Sequence, residues 1–330
     1  MIQGKIQLDE WMPIISKEYL QDFIKQGGAA VKFLVYIDCI DPTEIKNKLN
    51  NIAQDSGFTF AKVDASTVKV HLVEQLFFEI AKQIDWEDTA YVFLRQILQE
   101  HFKLPDNRSD FDLRKIAALN AYEERDFRFE VNKRLKDSLF RDYSMTQEFR
   151  IAMMILCRSI IEPDDKSVEM CISIKEWLRG ELRLLSTVKK AMLYQKIGRH
   201  NARHLLLSLS HWLKLCGKGG LVLLIDISRY LQDKPKERDL STFYYSLAGV
   251  VECYELLRQF IDGTDESDYC FITVLAPSRF LDEQDKRSVS SYDALKLRIW
   301  NEVRDVHYVN PLASMVRISC CENSVEKVEK

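Results

Sequence analysis

Residues 36 to 43, read Tyr36-Ile37-Asp38-Cys39-Ile40-Asp41-Pro42-Thr43, lie where an apolar run turns into an amphipathic one. In an α/β protein this is where a phosphate is held. A phosphate loop needs glycines so that backbone N–H groups can close on the anion. It also needs a lysine for the charge and a Ser or Thr for magnesium. Of these requirements only Thr43 is met, because Asp41 and Pro42 stand where glycine and lysine are needed. The replacement has its own chemistry. Asp41-Pro42-Thr43-Glu44 offers an N-cap, a proline at the first helical position and an acid at the third. Asp41 is thereby expected to fill the anion-binding end of the helix with its own carboxylate and to repel a triphosphate.

A second site of interest is "GGLVLLIDIS", residues 219–228, an apolar run closed by Asp226. An aspartate there matches the metal-holding acid of a nucleotide hydrolase, but Ile227 follows where a glutamate would orient water. Many buried strands end on an aspartate, so the motif alone carries little. The third is basic: Lys189, Lys190, Lys196, Arg199, His200, Arg203 and His204 fall close together. Read as one helix, Lys196, Arg199, His200 and Arg203 share a face suited to DNA phosphates, although a solvated helix face is the favoured explanation. His200 and His204 have an i, i+4 metal spacing without a third ligand, so no metal site is expected. Arg298, in "YDALKLRIW", reads as an ordinary salt-bridge arginine.

These residues need elements to hold them. Apolar spacing predicts a helix over 17–26 stopped by Gly27-Gly28, then a buried strand "AVKFLVYI". A helix from Thr43 to Ser56 and a strand "FTFAKVD" ending near Asp64 follow, the opening of a parallel sheet. From about 68 to 217 the pattern is mostly helical, in "VHLVEQLFFEIAKQI", "AYVFLRQILQEHF", "TQEFRIAMMILCRSII" and "RHNARHLLLSLSHWLKLC". Strands "GGLVLLIDIS", "CFITVLAP" and "SMVRIS" then return, with helices at about 242–262 and around "YDALKLRIW" between them. The expected organisation is therefore 1–66 and 218–330 as two parts of one α/β domain, with 67–217 as a helical insertion.

Four separate stretches, "GGAAVKFLV", "WLRGE", "RHNARHLLLSLSHWLKLCGKGGLVLLIDISRY" and "YDALKLRIW", together resemble the ATP-binding proteins of BREX phage-defence systems. The resemblance runs from about residue 10 to 319. It implies an AAA-type P-loop fold, a parallel sheet flanked by helices, in proteins that work beside helicases, methyltransferases and other DNA-directed components. Carried over, Asp226 matches the Walker B aspartate and Tyr36 to Thr43 the P-loop window, where the glycines and lysine are missing. The neighbourhood of Arg298 is where such proteins sense nucleotide or bridge subunits. The resulting expectation is a non-catalytic subunit of a defence complex, without cofactor, serving a partner ATPase, helicase or nuclease. Two alternatives stand beside it: an ATPase that takes ATP and magnesium through an unusual site, and a DNA-binding adaptor.

Composition fits this reading. The net charge of −3 opposes a basic nucleic-acid binder overall, though not a local patch. The apolar runs are too short to cross a bilayer, and "MIQGKIQLDEW" lacks the features of a signal peptide, so a cytoplasmic protein is expected. Eight cysteines without a CxxC pair read as reduced, mostly buried thiols, and nothing beside the vicinal Cys320-Cys321 supports a redox role for it.

Overall fold

The computed structural model describes residues 4–37, 40–233, 243–300 and 309–319. Asp38, Cys39, Cys320, Cys321 and the charged tail, all discussed above, lie outside the described residues. In chain order the principal elements begin β1 (Ile6–Gln7), α1 (Leu8–Ile15), β2 (Ala29–Tyr36), α2 (Pro42–Asp55), β3 (Thr59–Asp64) and α3 (Val73–Lys82). Then come α4 (Trp86–Gln99), α5 (Leu113–Leu119), α6 (Glu124–Leu135), α7 (Gln147–Ile161), α8 (Asp165–Arg179), α9 (Ser186–Lys189) and α10 (Ala202–Leu215). The chain returns to strand with β4 (Leu221–Asp226), followed by α11 (Leu247–Asp262), β5 (Cys270–Pro277), α12 (Asp293–Ile299) and β6 (Met315–Ser319).

The fold is an α/β P-loop NTPase-like architecture with one six-stranded sheet in the order β1-β6-β2-β5-β4-β3, every pairing parallel. Such a sheet is covered on both faces, which is why β2, β4 and β5 read as nearly unbroken apolar runs. Side-chain alternation sends Leu34, Tyr36, Val222, Leu224, Val316 and Ile318 to one face, where they pack with Trp11 and Ile15 of α1 and Ile45 and Leu49 of α2. On the other face Phe33 stacks on Phe280, which meets Tyr254 of α11 edge-on. The first helix begins earlier than expected: α1 starts at Leu8 and runs into a π-helical stretch, Ser16–Phe23. Gly27, at φ 101°, then turns the chain into β2.

Backbone proximity divides the chain into two compact units, Met1–Leu76 with Gly219–Lys330, and Phe77–Lys218. The second unit opens at Phe77 rather than at 67. The reason is local. The turn leaving β3 belongs to the sheet, since the Tyr245 hydroxyl donates to the carbonyls of Ala65 and Val68 at 2.6 and 3.0 Å.

The helical unit has its own core. Phe93 of α4 packs on Trp212 of α10 with ring centroids 4.8 Å apart, and Trp86 of α4 meets Phe149 of α7. Trp86, Trp177 and Trp212 are all essentially inaccessible to solvent. Cys157, Cys171 and Cys216 here, and Cys253 and Cys270 in the sheet unit, are free and buried. Burial pushes the Cys270 thiol up to about 12, so it packs as a small apolar group. Among the described residues no helix is long and apolar enough to cross a membrane.

Candidate functional site

The C-terminal ends of β2, β3 and β4 and the first turns of α2 gather at one edge of the sheet. Parallel α/β sheets bind their ligands outside this edge. At the start of α2 the Asp41 carboxylate accepts the Thr43 N–H at 2.8 Å, and Pro42 occupies the first helical position. The bonds from the Thr43 backbone and side chain hold the Asp41 carboxyl below its usual range. Glu44 does not close a reciprocal capping box; it pairs instead with Lys48 at 2.6 Å. Of the preceding turn, Ile40 is buried in the core between the sheet and α1 and α2.

Lys46 lies on the next turn of α2, and its ammonium enters the site. Its Nζ is 2.7 Å from Oδ2 of Asp226 and 3.2 Å from Oδ2 of Asp64. The other oxygen of Asp226 accepts from both the Ser228 N–H, at 2.9 Å, and the Ser228 hydroxyl, at 2.6 Å. The Ser228 hydroxyl in turn lies 3.0 Å from the Tyr36 hydroxyl at the end of β2. Asp64 accepts the Ser66 N–H at 2.8 Å with its remaining oxygen. Three strand ends and one helix are thus tied together through Tyr36, Ser228, Asp226, Lys46 and Asp64. Burial by itself lowers the Lys46 pKa, but the hydrogen bond and charge of Asp226, joined by Asp64, outweigh it and raise it. Burial likewise favours protonation of Asp64, yet the Ser66 hydrogen bonds and Lys46 hold its carboxyl below the usual range.

A second layer fixes Asp64 in place. The turn that follows it is held by Tyr245, which stacks on Tyr230 at 3.8 Å between ring centroids. The Tyr230 hydroxyl accepts the His71 N–H at 3.0 Å and lies 2.7 Å from His71 Nδ1.

The sequence-predicted residues fall as follows. Thr43, Asp41 and Asp226 all belong to this edge. Lys46 and the partner role of Asp64 were not anticipated. A signal for Lys46 exists, since it borders the buried stripe of Ile45 and Leu49 near the helix start. Lys196, Arg199 and Arg203 lie in the helical unit, and the single basic helix face is corrected. α10 begins only at Ala202, so Lys196, Arg199 and His200 precede it in the connection. Asn201 arrests the helix by accepting the Gly198 N–H on its side chain at 2.8 Å. His200 and His204 therefore do not present one helical face, and no cluster of three or more metal-ligating side chains exists among the described residues. Arg298 pairs with Asp262 of α11 and donates to the Ala294 carbonyl at 2.6 Å.

A magnesium triphosphate does not fit the described residues of this edge. The Thr43 N–H is taken by Asp41, Pro42 has no N–H, and the Ile40 N–H is taken by the Ile37 carbonyl at 3.0 Å. Both oxygens of Asp226 are engaged, one by a resident ammonium. A search of curated proteins and a search of solved structures return no match. A family model, described as BREX system ATP-binding protein BrxC/D, matches residues 16–325.

Proposed function

Because the chain belongs to the family of BREX system ATP-binding proteins BrxC/D, a phage-defence component with other proteins of that system as partners, we propose that it is the family's non-catalytic form. In this reading its P-loop is degenerate, it neither binds nor hydrolyses ATP, and it serves as a scaffold for a partner ATPase, helicase or nuclease. The observation that carries this reading is the Lys46 ammonium held against Asp226 and Asp64. The carboxylates that would draw a magnesium ion already share an ammonium of the same fold, which offsets one of their two charges. A metal would have to break a charge-assisted hydrogen bond to enter. The Asp41 cap supports the reading from the other side, by placing a fixed negative charge at the helix end where phosphates bind.

The test is calorimetric titration of the wild-type protein with ATP and magnesium, together with co-purification from the native gene cluster. Silence at millimolar ATP and a retained complex are expected. Micromolar affinity would overturn the reading in favour of an ATPase with an unusual site. Defence activity is expected to survive Asp226→Asn in any variant that still folds. Its loss with fold and complex intact would point to chemistry at this edge.

A further inference from the structure

Between Leu182 and Ile225 the chain contains no aspartate or glutamate, although the whole protein is acidic. The first half of this stretch, residues 182–203, carries Arg183, Lys189, Lys190, Lys196, Arg199 and Arg203. It is mostly non-helical, with the single turn α9 inside it and α10 starting only at its end. Even so it is pinned to the helical unit. Leu182, Val188, Ala191, Leu193, Ile197 and Ala202 are buried, and the Gln195 carbonyl accepts the Trp177 indole N–H at 2.9 Å. The Lys196 ammonium reaches back to the Arg183 carbonyl at 3.4 Å, which brings the two ends of the stretch together.

What this leaves on the surface is a mixture of cations and apolar groups. Arg183, Lys189, Lys190, Lys196 and Arg199 are exposed, and none has a carboxylate partner among the described residues. Elsewhere on the same unit some exposed arginines are paired, as Arg128 is with Glu124 and Glu162, while Arg158 bonds only the Asn132 amide oxygen. Leu184, Met192 and Tyr194 are 66%, 60% and 64% exposed between them. Met192 is held in the left-handed region at φ 60°, which turns it outward between the buried Ala191 and Leu193. Along the chain the nearest acid before the strap is Glu181, at its margin.

We infer that this strap, residues 183–199, binds single-stranded nucleic acid. Unpaired cations spaced along a pinned backbone suit the phosphates, and an outward aromatic ring between them suits a base. A duplex presents its bases already stacked and offers Tyr194 nothing to pack on. An acidic peptide would satisfy the charges but gains little from an isolated tyrosine. The inference is independent of whether the sheet edge binds nucleotide.

The experiment is fluorescence anisotropy of the full chain with labelled oligo-dT of about 15 nucleotides, a duplex of equal length and polyglutamate, each between about 50 and 200 mM salt. Oligo-dT is expected to bind tightest. Reversal of three cations, Lys189→Glu, Lys190→Glu and Arg199→Glu together, is expected to weaken it at least about tenfold and to reduce the log–log salt slope by about 2. Tyr194→Ala is expected to weaken it about tenfold with the slope unchanged, the signature of lost stacking rather than lost charge. All four residues are exposed, and thermal melts establish that each variant is folded. Should the reversal unfold the protein, Lys189→Gln with Lys190→Gln carries the same test with a smaller slope change. The inference is overturned if oligo-dT does not bind at the lowest salt, or if the cation variants bind as wild type. It is equally overturned if the duplex binds tighter and Tyr194→Ala has no effect, or if polyglutamate alone binds.

Discussion

The ammonium of Lys46 sits 2.7 Å from Asp226, a carboxylate only 6% exposed at the end of β4. A charge so placed is stable only while its partner remains. Lys46→Met should therefore destabilise the fold by about 2–3 kcal/mol. That is below the range for fully buried pairs because the Lys46 side chain is 23% exposed. Chemical denaturation measures it. Asp226→Asn should cost less, since the amide keeps hydrogen bonds to Ser228. The double change should cost less than the sum of the singles, which a double-mutant cycle reads directly.

A second lysine predicts a pH dependence. Lys32 is buried on β2, donating to the Leu312 and Ala313 carbonyls over the ring of Tyr19. Burial pushes its ammonium down to about 8. In the unfolded chain it titrates near 10.4. Between those values the unfolded chain holds more protons, so stability from this group rises with pH from about 8 to about 10.5 and is flat below. The gain is at most about 3 kcal/mol, lessened by the two carbonyls that favour the charged form. Denaturation midpoints of wild type and Lys32→Met across this range should converge at high pH. Parallel curves would contradict it.

The turn after Asp64 depends on Tyr245. Tyr245→Phe leaves the carbonyls of Ala65 and Val68 without their donor, at a cost of about 1–3 kcal/mol. Hydrogen exchange should show the loss first in residues 65–72, with the helical unit unchanged.

Gly220 precedes β4 at φ 127°, and a Cβ there would meet the Tyr269 carbonyl oxygen at 2.1 Å. Neither backbone can move without breaking the ladder, since Gly220 also accepts the Thr59 N–H. Gly220→Ala should cost at least about 3 kcal/mol and reduce soluble yield. Gly57→Ala, with open space around the site, should lose only what its φ of 80° imposes.

Much of the sheet was legible because its strands are buried on both faces. "CFITVLAP" appears as β5 with the same bounds, and Asp41-Pro42 marked the start of α2. The pattern failed where a polar residue outranked periodicity. At Asn201 a side chain bonded to Gly198 stopped a helix that the apolar spacing continued. Lys46 escaped notice for a different reason. A lysine beside an apolar stripe looks solvent-facing until the strand ends are brought beneath it, and that arrangement is long-range information.

The strand order sets a schedule for synthesis. β1, β2 and β3 are made first, yet no two of them are neighbours: β1 pairs with β6, β2 with β5 and β6, and β3 with β4. Every joint in the sheet waits for a strand that emerges after the helical unit, whose residues 77–218 are contiguous and able to fold as they appear. During translation this protein therefore carries three strands with open edges, and the ribosome must finish β4 before β3 can be paired, β5 before β2 can, and β6 before β1 can. Its exposure to aggregation and to chaperones should be greatest in that interval, and slowing elongation across residues 219–277 should lengthen it.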